Sequence, residues 1–452
     1  MAVPSPSRPS TRAQIRAWLD HARKVLLDPA TFSILFIVLL FNAVIRIQAV
    51  QDAFPILEKS ELRFHRFLFS LSPREIAPKW VRVVPIDDGL HARLGDPTDR
   101  AYLADLISNA VKGDAAAVVL DFKLLAPLGE SPGHDDQGRA LADQKFIRSI
   151  NQAAVAGVPV VVSIWLDKQG SAFVRRPDFF LDEQLALAKR DGRCDPTTFV
   201  PGSAHDPSRH SACAWLGDIN LPSDMRQVPL ATPVKGSGEP MNSLALSAVD
   251  AYEFALDRRP KLRSNPRIAD SILEGDFVYG SFIPEAQFQT ISPENLQGGV
   301  PQALADSRGR ILIIGGNWHK DLGNGELEDA HDTPAGYMAG VFIHANYIEA
   351  LLDERFTREV PLWAALLFDL IGGAALYLLF HRAKGWLAQL LVLVVPAALL
   401  VISYVLFTNL NYYLDFIFPL AACFVHLGKE YVEDYVHLRS NRTSPGAHAH
   451  RD

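Results

Sequence analysis

This sequence of 452 residues lacks the signatures of several functional classes of protein. Its 44 lysines and arginines are fewer than its 51 aspartates and glutamates, and a formal charge of −7 leaves no basic stripe for nucleic acid. No serine or cysteine stands out as a nucleophile, and Gly315-Gly316-Asn317 lacks the spacing and the lysine–hydroxyl pair of a phosphate-binding loop. We therefore expect no enzyme, no metal or cofactor, and no nucleic-acid partner.

Hydrophobic runs of membrane length lie near the two ends of the chain. One run occupies 32–50, and three more occupy 361–380, 386–408 and 413–427, each close to the roughly 20 residues that a bilayer crossing needs. The predicted organisation is a cytoplasmic leader at 1–30, a transmembrane helix at 31–50, an extracytoplasmic domain at 51–360, three transmembrane helices at 361–428 and a cytoplasmic tail at 429–452.

Positive charge predicts the orientation of these segments. The arginine-rich leader and the short basic loop at 381–385 are both expected on the cytoplasmic side, so both termini lie inside the cell (inner) membrane. The large domain is then extracytoplasmic, or periplasmic. A cleaved signal peptide is the alternative at the N-terminus, but no clean small-residue cleavage site follows Val50. Apolar residues at helical spacing in 15–26 indicate either an interfacial helix or a partly disordered tail.

Two of the three cysteines, Cys194 and Cys213, fall in the domain predicted to face an oxidising environment. A disulfide between them would close a loop of about 20 residues and stabilise the fold by about 3 kcal/mol in the chain-entropy picture. Two free thiols are the alternative.

The soluble segment reads as alternating strands and helices. Strand patterns at 81–86, 115–121 and 158–164 are separated by helical patterns at 101–112 and 144–156. A further ordered segment is predicted at 214–219. It is followed by a helix at 241–255, strands at 277–282 and 311–316, and a last helix at 341–352. The fold class is therefore α/β, a layered extracytoplasmic domain with a mostly parallel central sheet, plus four transmembrane α-helices.

One motif near the end of this segment indicates a family. Asp329-Ala330-His331-Asp332-Thr333-Pro334 is followed by Met338-Ala339-Gly340-Val341-Phe342-Ile343-His344-Ala345-Asn346. This order resembles the second type of the CHASE family, extracellular sensory domains associated with cyclases and histidine kinases. The resemblance covers most of 80–352 and includes Arg100, Asp121 and the strand at 311–316. Three closing membrane helices also match the family's usual arrangement.

The resemblance implies sensing, yet one part of the family pattern differs. Such domains typically precede a cyclase, kinase or phosphatase-type output region, whereas 429–452 is too short to fold as a catalytic domain. We therefore expect a separate cytoplasmic kinase or cyclase to supply the output, and an unknown small ligand or envelope protein to bind outside. A second copy of the chain, in a homodimer, is a further candidate partner. The alternative function is a non-signalling membrane scaffold or recruiting subunit.

Three acidic residues are candidates for ligand binding. Asp87, Asp88 and Asp121 all follow or end predicted strands, and the carboxyl edge of an open α/β sheet is where ligands collect. Three carboxylates without a fixed loop spacing fall short of a metal signature. Helix capping or solvated turns are the alternative roles.

A second candidate group comprises His331, Thr333, His344 and Asn346. They lie in or after the loop that precedes the last predicted helix, next to the same edge. The spacing of the two histidines does not match the compact helical pairs of zinc enzymes. Ligand contact and a structural role, with His344 and Asn346 bonding nearby backbone, both remain open.

Asp369 lies within the second hydrophobic run. An acid inside a membrane helix is costly, so it indicates a functional partner by default, either Arg382 or a polar group on another helix. The alternative is an acid near the interface that reaches the headgroups.

Overall fold

A computed structural model describes residues 55–71, 77–95, 98–124, 136–169, 172–175, 214–222, 224–236, 240–256, 262–274, 277–319, 329–359, 363–364, 367, 386–410 and 412–413. The chain separates into two units, one formed by His65–Thr357 and the other by Met1–Phe64 with Arg358–Asp452. The first unit contains the α/β domain.

Helices and strands alternate through most of this domain. The helices are α1 (Pro55–Leu71), α2 (Asp88–Leu94), α3 (Arg100–Lys112), α4 (Asp136–Val155), α5 (Leu244–Ala255), α6 (Pro266–Glu274), α7 (Pro293–Gln297), α8 (Pro301–Ser307), α9 (Gly340–Leu352) and α10 (Trp386–Leu410). The strands are β1 (Val81–Ile86), β2 (Ala117–Asp121), β3 (Val160–Ile164), β4 (Leu166–Gln169), β5 (Ala172–Arg175), β6 (Trp215–Asp218), β7 (Gln227–Pro229), β8 (Ala231–Thr232), β9 (Met241–Asn242), β10 (Phe277–Gly280), β11 (Ile311–Gly316), β12 (Ala330–Thr333), β13 (Gly336–Ala339), β14 (Phe356–Glu359) and β15 (Tyr412–Tyr413).

The central sheet has five parallel strands in the order β1-β11-β2-β3-β6. β11 is the last of these strands in the sequence, yet it lies between β1 and β2. All five carboxyl ends therefore lie at one edge of the sheet. This confirms the α/β fold class with a mostly parallel central sheet.

Both faces of the sheet are covered, because alternate residues of each strand enter two different hydrophobic cores. Val83 and Val119 belong to the core that also contains residues of α5 and α9. Val84 and Leu120 belong to the core that contains residues of α3 and α4. Burial on both faces explains why these strands are continuous apolar runs rather than alternating ones.

Several elements have bounds that differ from their sequence predictions, and two of these differences concern the helix near residue 241 and the strand near residue 277. The helix predicted from residue 241 begins at Leu244, because Met241 and Asn242 form β9 and the Ser243 hydroxyl caps the helix by accepting from the Leu246 amide at 3.1 Å. The strand predicted at 277–282 is β10, and it pairs antiparallel with β7 and β14 instead of joining the central sheet.

A hairpin follows β3, and a glycine in β6 allows α5 to approach the central sheet closely. β4 and β5 form a hairpin directly after β3. At Gly217 in β6, a Cβ atom would lie 2.6 Å from the Leu244 Cα atom. Glycine therefore lets the first turn of α5 pack directly on the sheet.

A buried acid connects the end of α9 to the start of β1. Glu349 Oε1 accepts hydrogen bonds from the Trp80 amide at 2.7 Å and the Val81 amide at 2.8 Å, and its side chain is fully buried. Burial raises the pKa of this carboxyl, against the lowering effect of the backbone donors. The Asp353 carboxylate adds a 2.8 Å bond from the Trp80 indole.

The predicted membrane segments lie mainly outside the described residues. The run at 32–50 and Asp369 fall outside them, and α10 coincides with the run at 386–408. Among the residues that the structure describes, no helix combines the length and hydropathy that a bilayer crossing requires. The four-helix topology stays a prediction.

We predict that Glu349→Ala destabilises the domain by about 2–4 kcal/mol, because the buried Val81 amide and the partly buried Trp80 amide lose their acceptor. Glu349→Gln keeps a carbonyl oxygen and should lose clearly less. Denaturant unfolding of the full-length protein, followed by tryptophan fluorescence, measures both changes. Equal losses for the two variants would contradict the role assigned to Glu349.

Candidate functional site

The carboxyl edge of the central sheet collects polar side chains. Asp87 and Asp88 follow β1, Asp121 ends β2 and Asp218 ends β6. In open α/β sheets, this edge is where ligands bind. The three predicted acids thus lie at one edge, although each has a different environment.

Asp87 and Asp88 are both engaged by neighbouring groups. Asp87 caps α2, since its Oδ1 accepts a 2.9 Å bond from the Leu90 amide. Asp88 accepts a 2.6 Å bond from the His319 amide, and its other oxygen lies 2.7 Å from His319 Nδ1. These bonds from His319 lower the pKa of Asp88.

Asp121 has a different environment. Its side chain is only 4% exposed, and the contact that the structure describes for its carboxyl group is with His344, at 3.8 Å between Oδ1 and Nε2. Burial, followed by the negative charge of Asp329, raises the pKa of Asp121 well above the ordinary value. Asp121 therefore keeps its proton to higher pH than an exposed aspartate.

His344 is buried beside it, on the second turn of α9. Its side chain is 2% exposed, and burial lowers its pKa to about 4, while Asp329 and a backbone hydrogen bond with Ile219 act in the opposite direction. Within the described part of the chain, no group hydrogen-bonds its Nδ1 atom. The imidazole is therefore neutral near pH 7.

Asp329 and His331 complete the arrangement. Asp329 Oδ1 lies 3.0 Å from His331 Nε2. Burial raises the pKa of Asp329, but the His331 bond and the charges of His331, His344 and Lys123 together leave it below the ordinary value. Asp329 also packs on Gly340, where a Cβ atom would collide with its carboxylate. We call these four side chains the polar cluster: Asp121, Asp329, His331 and His344.

Thr333 and Asn346 have backbone partners. The Thr333 hydroxyl donates to the Gly336 carbonyl at 2.6 Å and closes the turn between β12 and β13. Asn346 accepts from the Ile283 amide at 2.6 Å and donates to the carbonyls of Ile283 and Phe342 at 3.1 and 3.0 Å. These contacts match the structural alternative for Asn346 and place neither residue in the polar cluster.

Three polar residues at this edge were missed by the sequence reasoning: Asp218, His319 and Asp329 as a site residue. Asp218 is 2% exposed and accepts bonds from Thr232 at 2.6 Å and Asn220 at 3.0 Å, while burial raises its pKa to about 6. Its position at the end of a predicted strand is the same signal that identified Asp87. His319 carried no such signal, because its partner Asp88 is 231 residues away.

Other predicted site residues cannot be placed. Cys194, Cys213 and Asp369 lie outside the described residues. Among the side chains that are described, no group of three or more His, Cys, Asp or Glu residues could hold a metal ion.

The CHASE2 domain family matches residues 34–379. The chain belongs to the CHASE2 family. Its domain is therefore an extracellular sensory domain of the kind found in signalling proteins. The resemblance inferred from the 329–346 motif is confirmed. No curated protein and no solved structure matches the chain.

In this CHASE2 domain, burial shifts the pKa values of two members of the polar cluster, Asp121 and His344. Asp121, whose pKa burial raises, and the neutral imidazole of His344 lie side by side under low exposure, where either a proton or a ligand charge has a strong effect. Perturbed ionisable groups in such a position are typical of functional sites. The geometry therefore favours recognition of a polar or charged group at this edge.

We predict that His344→Phe reduces the acid sensitivity of the CHASE2 domain. The pKa of His344 is about 4 in the folded state and 6.5 ordinarily, so the unfolded chain binds more protons between these values. The free energy of unfolding then falls as pH decreases through this window, by about 3 kcal/mol at most. Unfolding measured from pH 7 to 4 should show a shallower fall for the variant, with His331→Phe as the control. Superimposable profiles for wild type and His344→Phe would refute it.

We predict the opposite sign for Asp121. Its raised pKa means that the folded state binds more protons than the unfolded chain above pH 3.8, so stability falls as pH rises. Asp121→Asn should remove this fall and unfold at a higher temperature than wild type at pH 7–8. The control is Asp87→Asn at the same edge, because asparagine caps a helix as well as aspartate does. A lower melting temperature for Asp121→Asn would count against the assignment.

Proposed function

We propose that this protein is a multi-pass sensor of the cell (inner) membrane. Its CHASE2 domain binds a small ligand or an envelope partner outside the cytoplasm and relays the event to a separate cytoplasmic output protein. The observation that carries the proposal is the polar cluster, which lies at the ligand-binding edge of a domain whose family is sensory.

Sequence features support the membrane attachment. The family match begins inside the hydrophobic run at 32–50 and ends inside the run at 361–380, so both runs belong to the family's domain pattern. The run at 386–408 coincides with the helix α10. Positive charge in the leader and at 381–385 favours cytoplasmic termini.

The energetics of Asp121 favour binding over a purely structural role. A buried polar group that lacks hydrogen bonds costs free energy, and a carboxyl group without a strong partner gains when one arrives. The other acids at this edge, Asp87, Asp88 and Asp218, already accept hydrogen bonds within the fold. Within the described part of the chain, the contact of the Asp121 carboxyl group is the 3.8 Å approach of His344, so an incoming donor would add a stronger bond there.

Relay requires two packings of the domain or its membrane helices, with the ligand binding one of them better. Asp369, in the second hydrophobic run, is our candidate for a polar contact within the helix bundle. The protein itself performs no chemistry in this scheme.

Ligand binding is testable with full-length protein in lipid nanodiscs. A panel of soluble metabolites is screened by thermal unfolding, because a ligand at 100 times its Kd stabilises by about 2.7 kcal/mol. A true ligand should raise the melting temperature of wild type and of Asp87→Asn, but not of Asp121→Asn. A ligand that stabilises all three equally would exclude the polar cluster as its site.

The relay is testable by capture from native membranes. We expect a C-terminally tagged protein to bring down a kinase or cyclase that mass spectrometry identifies, with a tagged unrelated membrane protein as the control. Recovery of envelope proteins alone would contradict the relay and indicate a scaffold or recruiting role.

A further inference from the structure

An arginine on α1 holds the hairpin that carries part of the polar cluster. Arg66 donates from Nε and Nη2 to the Thr333 carbonyl, at 3.2 and 2.9 Å, and Nη2 also lies 3.0 Å from Asp332 Oδ1. The guanidinium thus makes three hydrogen bonds to two consecutive residues of one strand. Arg66 is 266 positions from Asp332 and 267 positions from Thr333 in the sequence, so the contact is a feature of the tertiary structure.

Strand β12 lies between this arginine and the polar cluster. Successive side chains of a strand point to opposite sides, so His331 and Asp332 project in opposite directions. His331 faces Asp329 at 3.0 Å, while Asp332 faces Arg66 at 3.0 Å. A displacement of β12 on its cluster side therefore changes its distance from α1 on the other side.

The hairpin is also continuous with His344. β12 pairs with β13 along four residue pairs, from Ala330 with Ala339 to Thr333 with Gly336, and α9 begins at Gly340. The Asp329 carbonyl accepts from the Gly340 amide at 2.6 Å, which closes the base of the hairpin. The hairpin therefore begins and ends at the polar cluster, and its turn is bound by Arg66.

The magnitude of the Arg66 interaction indicates a role beyond stability. The Arg66 side chain is 37% exposed and that of Asp332 is 66% exposed, and ion pairs this open contribute about 0–1 kcal/mol. The neighbouring α1 residues His65 and Leu68 are buried and anchor this part of the helix. The planar guanidinium of Arg66 donates two hydrogen bonds to the Thr333 carbonyl, and this pair of bonds fixes the position of that carbonyl relative to α1.

We propose that Arg66 is a positioning residue that couples the polar cluster to α1 through the β12–β13 hairpin. The inference deepens the proposed function and rests on it, since α1 follows the first hydrophobic run in the sequence. Ligand contact at His331 or Asp329 shifts β12, and Arg66 transfers that shift to the helix. Such coupling needs a direct measurement, because a spatial path alone does not establish it.

The test is a double-mutant cycle read by hydrogen exchange, in full-length protein in nanodiscs without added ligand. His331→Ala disturbs the cluster without removing any partner of Arg66. We expect it to speed amide exchange in residues 62–71 by about threefold or more in the otherwise wild-type protein, as a local loosening of α1. In the R66Q background the same change should have little effect, because the link is already broken.

The control is R63Q, which removes the same charge from an exposed position on the same helix and should leave the response intact. R66K keeps the charge but not the fork, so it should retain only part of the response. Slow exchange in β2 and β11 verifies folding; if R66Q fails this check, Asp332→Asn replaces it and should weaken the response.

A response of equal size with and without Arg66, or no response of α1 to His331→Ala, would overturn the proposal. Because the cycle uses no ligand and no output protein, its result is independent of the ligand screen and the capture experiment. A failed screen with a positive cycle would leave the coupling in place and remove only the proposed stimulus.

Discussion

Burial of both faces of the parallel sheet is the constraint on which the rest of this domain depends. The strands are mostly apolar because successive residues enter two different cores. The acidic side chains of these strands therefore lie at their ends or just after them. Since all five strands run the same way, their carboxyl ends meet at one edge, and the acids that follow them share that edge.

At that edge, most polar groups serve the fold and a few do not. Asp87 caps a helix, Thr333 closes a turn and Asn346 links α9 to the segment after β10. Asp121 and His344 are also buried, and the contact that the structure describes between them is longer, at 3.8 Å between Oδ1 and Nε2. A buried carboxyl group whose described contact is this long gains more from an incoming donor than one that already accepts short hydrogen bonds, which is why Asp121 is the candidate for a sensory role.

The helix α9 connects the two edges of the sheet. His344 near its start belongs to the polar cluster, and Glu349 near its end accepts from the Trp80 and Val81 amides at the start of β1. Asn346 also bonds the Ile283 backbone, so α9 is held by hydrogen bonds near its start as well as near its end. The β12–β13 hairpin that precedes the helix is the segment that contacts Arg66, which gives Arg66 its place in the proposed relay.

The sequence by itself determined the local elements and the family. Apolar runs, capping residues and the 329–346 motif are read from neighbouring residues, so the parallel strands and the CHASE2 assignment were predictable. Only the tertiary structure decided that β11 lies between β1 and β2, that Asp88 meets His319, and that Arg66 holds Thr333. These contacts join residues that are distant in the sequence, from 194 positions for Ile311 and Ala117 to 267 for Arg66 and Thr333, and no local pattern of hydrophobicity or charge encodes which distant partners will meet.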